Sequence, residues 1–111
     1  MLIEDRILQL EKLIEEDASD PFLYYALCLE FSKISNERSE SLWLELISRF
    51  PDYLPSYYQA GLTLVEIRKR DEAIQLWKKG ITLAELQNDR HALTELKSIL
   101  QNTLLDELEE D

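Results

Sequence analysis

The sequence predicts an all-α fold, a stack of antiparallel helical hairpins with about six helices. Three observations predict it. Only two glycines and three prolines interrupt 111 residues, so few positions favour turns. Apolar residues recur three and four positions apart along most of the chain, the period of a half-buried helix. Matching residues also return at an offset of 33 or 34, which marks a duplicated supersecondary unit. A chain of this length and 45% apolar content makes one domain, residues 1–111, able to bury roughly 65% of its unfolded surface.

The elements follow in order. Ile3, Ile7, Leu10 and Ile14 share one face of an amphipathic helix over 2–17, which at two heptads is too short for a free coiled coil. Asp20-Pro21 reads as an N-cap followed by a proline at the first helical position, where its missing N–H is not needed. That second helix runs to about Ile34 and stops at Ser35-Asn36. A third covers about Glu37 to Arg49 and ends before Pro51. Pro55 opens a fourth helix, to about Lys69. Asp71 to about Gln87 form a fifth, apolar on two faces and therefore sandwiched. Asn88-Asp89 caps a sixth with a stripe at Leu93, Leu96, Ile99, Leu100, Leu104 and Leu108; without Gly or Pro near residue 88, one kinked continuous helix is the alternative.

Self-comparison turns these helices into an architecture. Tyr24 and Tyr57, Tyr25 and Tyr58, Cys28 and Gly61, Leu29 and Leu62, Phe31 and Leu64, Ile34 and Ile67 are each 33 apart. Ser39 and Ala73, Trp43 and Trp77, Leu46 and Gly80 are 34 apart, so the first hairpin has one residue fewer in its turn. The small residues Cys28, Gly61, Ser39, Ala73 and Gly80 let backbones approach. The tryptophans are expected to fill the space between neighbouring hairpins, each removing ~150–250 Å² from water for an upper-bound gain of ~4–6 kcal/mol.

These residues resemble the tetratricopeptide repeats, whose unit of 34 residues carries aromatic, Leu, Gly, aromatic, Ala, aromatic, Ala and Pro at fixed positions. Tyr57, Ala60, Gly61, Leu64, Ala73, Trp77 and Gly80 fall on that pattern in register, with Glu85 in place of the closing proline. Tyr24, Leu27, Cys28, Phe31, Ser39, Trp43, Leu46 and Pro51 fit more loosely. Leu10 to Pro21 looks like the second half of a preceding repeat, so the resemblance covers residues 2–85, and short bacterial proteins of the family look similar throughout. It implies a right-handed stack with an N-terminal half-repeat helix (2–20), a first repeat (21–53), a second (54–87), a C-terminal capping helix (88–105) and an acidic tail (106–111).

Charge narrows the function classes. The net charge of −11 is concentrated at the ends: seven acids and two bases in residues 1–20, five acids and no base in 101–111, a nearly neutral body between. Acidic ends repel phosphates and anionic headgroups, which argues against nucleic acid and membranes as partners. Arg68-Lys69-Arg70 reads as a solvated interhelical turn. No spanning segment or secretory signal is visible, and the single cysteine, Cys28, forms no internal disulfide, which fits a reducing, cytoplasmic setting.

Chemistry finds no foothold. Both glycines lie inside predicted helices, so no loop cradles a phosphate. His91 is the only imidazole, and Asp89 and Glu95 lack the spacing and companions of a metal site. His91 reads as a solvated cap residue and Cys28 as core. The sequence therefore predicts no enzyme activity, no cofactor and no metal.

The first helices of the hairpins carry the candidate site. Removing core positions leaves Phe22, Tyr25, Leu29 and Ser32 on one helix, and Pro55, Tyr58, Leu62 and Val65 on the next, all on one face. In a hairpin stack this face is concave, an apolar and aromatic groove suited to a peptide or helix of a protein partner. Phe22, Tyr25, Leu29, Tyr58, Leu62 and Val65 are its predicted contacts. In the resembled family, grooves that grip a C-terminal carboxylate carry Lys, Arg and Asn at such positions, so acidic tails are disfavoured here. The alternatives are a groove covered by the terminal helices, or a homodimer or larger homo-oligomer that buries the groove or last helix. Residues 106–111 read as a frayed, solubilising end, since acids beside the negative end of a helix dipole destabilise it.

Overall fold

The computed structural model describes residues 2–109, and six helices account for most of them. They are α1 (Ile3–Glu16), α2 (Pro21–Ile34), α3 (Asn36–Arg49), α4 (Pro55–Glu66), α5 (Arg70–Leu86) and α6 (Arg90–Glu109). Each packs on its neighbours in sequence, and α2 touches α4 as α4 touches α6, so these three lie side by side. The body measures 46 × 32 × 22 Å, with a radius of gyration of 14.7 Å. A compact globule of this length has a radius near ~13 Å, so the elongation belongs to a stack.

Local chemistry sets the joints. Asp20 accepts the N–H of Phe22 at 2.9 Å and Pro21 follows it, starting α2. Ser35 ends α2 and caps α3 in turn, accepting from the N–H of Arg38 at 3.3 Å. Helix α4 ends at Glu66, short of the expected Lys69, because Arg68 adopts a left-handed conformation with φ 65°. The N–H groups of Lys69 and Arg68 then bond the carbonyls of Leu64 and Val65, closing a Schellman turn. The same motif recurs at Asn88, φ 57°, where Asp89 and Asn88 donate to Ala84 and Glu85. That turn separates α5 from α6, so the continuous kinked helix is not formed. Helix α6 runs past residue 105 to Glu109, taking Asp106 and Glu107 into its last turn, whereas the frayed tail was expected over 106–111. Residues 110 and 111 of that tail lie outside the described residues.

The core is continuous across the hairpins. Residues related by the sequence offset share burial: Trp43 and Trp77, Ser39 and Ala73, Cys28 and Gly61, Leu46 and Gly80 are all buried. Each tryptophan is hydrogen-bonded within its own hairpin: Trp43 Nε1 donates to Ser32 Oγ at 3.0 Å, and Trp77 Nε1 donates to the carbonyl of Tyr58 at 3.2 Å. A Cβ on Gly61 would run into the Trp77 indole, so this glycine is what admits the ring. Glu30 is a buried acid with no counterpart in the second hairpin, where Thr63 stands. Its Oε1 meets Arg6 of α1 at 3.6 Å and Lys33 at 3.1 Å, tying α1 to α2.

Candidate functional site

Alternation of first and second helices decides which side chains share a face. Helices α2, α4 and α6 all occupy the first-helix position, and their mutual contacts make one surface. The aromatic doublets of α2 and α4 divide between its two sides. Tyr24 and Tyr57 turn inward, Tyr24 against Phe50 at 5.6 Å and Tyr57 donating its hydroxyl to the carbonyl of Pro51 at 2.7 Å. One residue later, about 100° around the helix, Tyr25 and Tyr58 are half-buried and line a cavity of about 210 Å³. Pro55 and Gln59 of α4 and His91 and Glu95 of α6 also line it.

The predicted contacts do not form one uniform strip. Tyr25 and Tyr58 come together in this cavity. Phe22 stands at the end of α2, 56% exposed, with its ring 6.5 Å from that of Tyr25. Leu29 lines a separate, shallower cavity with Arg6, Ala26 and Lys33, between α1 and α2. Leu62 and Val65 are half-buried against the core. Tyr25 is fixed from behind, its ring edge-on to Trp43 at 5.7 Å and to Tyr53 at 5.8 Å.

Helix α6 supplies what the sequence reading leaves out. It was assigned as a cap, yet Asp89, His91 and Glu95 line the cavity beside the tyrosines. His91 Nε2 lies 2.9 Å from Glu95 Oε1, one helical turn on, so the histidine is solvent-exposed as expected but has a partner on the rim. Asp89 Oδ1 accepts the N–H of Ala92 at 3.0 Å, capping α6. The signal that finds these residues is topological: a sixth helix following two hairpins must occupy the place of α2 and α4.

Carboxylates set the environment of the tyrosines at this end of the groove. Burial first, and then Glu95, raises the Tyr25 hydroxyl above its ordinary pKa. Tyr53 is raised by burial and by the charges of Tyr25 and Asp20, and Tyr57 by burial and Asp52. Neutral phenols among carboxylates bind by hydrogen bonding, stacking and apolar contact. Cys28 is unsuited to nucleophilic work: it is 3% exposed, and burial followed by Glu45 pushes its thiol up to about 12.

No protein-family profile matches the chain, and no curated protein is similar to it. Solved structures are similar. The crystal structure of a tetratricopeptide repeat domain protein from Salinibacter ruber is 30% identical with a TM-score of 0.70, over 76% of this chain and 96% of that one. A solution structure of a tetratricopeptide repeat domain protein from the same organism is 32% identical with a TM-score of 0.73, over 78% and 89% of the two chains. A Bordetella parapertussis protein at 19% identity shares the fold, with a TM-score of 0.77 over 90% and 88%. In-register repeat residues, hairpins closed by buried tryptophans and this likeness together place the chain in the tetratricopeptide repeat family.

Proposed function

We propose that the protein is a non-catalytic interaction module whose groove, along α2, α4 and α6, binds a peptide or helix of a protein partner. Phe22, Tyr25, Leu29, Tyr58, Leu62 and Val65 are its contacts, and the setting is the bacterial cytoplasm. The observation that carries this reading is the cavity between Tyr25 and Tyr58, held on a rigid scaffold and open on its outer side. The fold generally serves protein–protein interaction. No helix among the described residues is long and apolar enough to cross a membrane, and the acidic ends disfavour nucleic acid.

A second reading, self-association, rests on a different surface. Leu104, Leu105 and Leu108 of α6 are 40%, 55% and 72% exposed, an apolar end that a homodimer would cover. Asp106, Glu107 and Glu109 stand among them, and bringing two copies of this turn together opposes like charges. The groove reading is therefore preferred.

Peptide display against the immobilised protein tests it. Selected peptides should bind wild type and lose affinity for Leu62→Glu and for Phe22→Ser, with helical content unchanged in both variants. Phe22 is exposed, so its replacement leaves the core intact. Peptides that bind all three proteins equally count against the groove.

A further inference from the structure

Building on the groove reading, we propose that the cavity between Tyr25, Tyr58 and Glu95 is a subsite for an arginine side chain of the bound peptide. Three properties of the cavity select this ligand: its charge, its lining and its size.

Charge comes first. Among the described residues that line the cavity, Asp89 and Glu95 are acids, His91 stands against Glu95 Oε1 at 2.9 Å, and none is a lysine or arginine. Asp20 adds negative potential nearby, acting on Tyr53, whose ring packs on Tyr25. The opposing contribution is the positive end of each first helix, about +0.5 of a charge. Three such ends give roughly +1.5, against the three carboxylates of Asp20, Asp89 and Glu95. Two of those ends are already engaged, α2 by Asp20 and α6 by Asp89. A carboxylate ligand meets net repulsion, and a cation meets attraction.

The lining then distinguishes cations. Two tyrosine rings line the cavity, and aromatic rings attract the delocalised cation of arginine more than the compact ammonium of lysine. Glu95, half-exposed at the rim, has Oε1 against His91 and offers its other carboxylate oxygen to a guanidinium. Leu54, Pro55 and Leu96 provide apolar wall for the methylene stem. A wholly apolar side chain in the same place covers Gln59 without giving it a partner, which is unfavourable. Size agrees: about 210 Å³ holds roughly seven water-sized groups, enough for the six heavy atoms of arginine beyond its Cβ.

The test needs no knowledge of the partner. N-acetyl-arginine amide and the isosteric, uncharged N-acetyl-citrulline amide are titrated into the protein and followed by amide chemical shifts. The arginine probe should saturate shifts around Tyr25, Tyr58 and Glu95 in the millimolar range, with citrulline at least about tenfold weaker. Glu95→Gln, a substitution at a half-exposed position, should weaken the arginine probe about fivefold or more. Equal binding of the two probes, or no saturation at these residues, overturns the proposal, and that comparison requires no variant. Sequencing the displayed peptides separates the two readings. Groove-dependent peptides enriched in arginine support both. Groove-dependent peptides without arginine overturn the subsite and leave the groove standing, and an absence of groove-dependent peptides overturns the groove.

Discussion

Gly61→Ala should destabilise the protein, although the same change in an ordinary helix stabilises. Alanine is about 0.8–1 kcal/mol better than glycine in a helix interior, so propensity alone predicts a gain. The structure reverses the sign. A Cβ at residue 61 collides with Nε1, Cε2 and Cδ1 of Trp77, atoms of a ring with 0% exposure. Moving that ring breaks its hydrogen bond to the Tyr58 carbonyl and leaves a buried N–H unpaired, about 1–3 kcal/mol, in addition to about 1–3 kcal/mol for overpacking. After the propensity gain, the net loss is about 1–5 kcal/mol, centred near ~3, a large share of a domain's ~5–15 kcal/mol. Gly80→Ala is the internal control. There the added Cβ meets Tyr57 Cβ at 3.0 Å and the Leu96 methyls at 3.2 and 3.4 Å, contacts that a small shift relieves, so propensity and crowding nearly cancel. Urea unfolding of the three proteins, at constant m, should place Gly61→Ala at least ~1 M below wild type and Gly80→Ala within a few tenths of it. A Gly61→Ala protein as stable as wild type would refute the claim that this glycine admits the tryptophan.

Two further predictions come from the turns and the core. Arg68→Gly should raise stability by about 0.5–1 kcal/mol, because a left-handed conformation costs a non-glycine residue roughly 1–2 kcal/mol and glycine's extra chain entropy offsets only part of that. A lower urea midpoint for Arg68→Gly would contradict it. Alkali should weaken the fold: with the Cys28 pKa raised from 9.0 to about 12, the native chain holds a proton that the unfolded chain releases. That contribution is fully present below pH 9 and is lost as pH rises towards 12, at up to about 1.4 kcal/mol per pH unit. Tyr25, Tyr53 and Tyr57, also raised, act in the same direction above pH 10. Between pH 9 and 10, Cys28→Ala should therefore flatten the decline in unfolding free energy, and an unchanged slope would contradict the assignment.

Much of the fold is legible because its determinants are local or repeated. Pro21 and Pro55 mark helix starts through their missing N–H, and the offset between Trp43 and Trp77 reports the hairpin unit without any coordinates. The turns at Arg68 and Asn88 are less legible, since neither residue is glycine and the left-handed backbone is imposed by Schellman bonding and packing on both sides. The extension of α6 to Glu109 opposes its local signal: acids in a last helical turn are unfavourable, yet the helix continues past Thr103, which is buried. Glu30 is similarly unreadable, a charged residue buried because Arg6 from a different helix meets it. Tyr25 and Tyr58 are legible in the sequence as the second aromatic after each core tyrosine, left on the proposed groove face once the core positions are removed. Asp89, His91 and Glu95 are not, because their place depends on how α6 stacks.

The tryptophans connect stability to recognition. Trp77 hydrogen-bonds the backbone of Tyr58, and Trp43 holds the ring of Tyr25 edge-on, so both groove tyrosines are anchored to the most buried rings of their own hairpins. Tyrosine has two side-chain torsions, and restraining those of Tyr25 before binding removes ordering entropy that association otherwise has to overcome, about 0.5–1.5 kcal/mol for one immobilised side chain. The proposed groove is thus backed by the second helices. A change such as Gly61→Ala, hidden behind the groove, should then weaken groove binding as well as the fold, because the displaced indole no longer fixes the carbonyl of Tyr58.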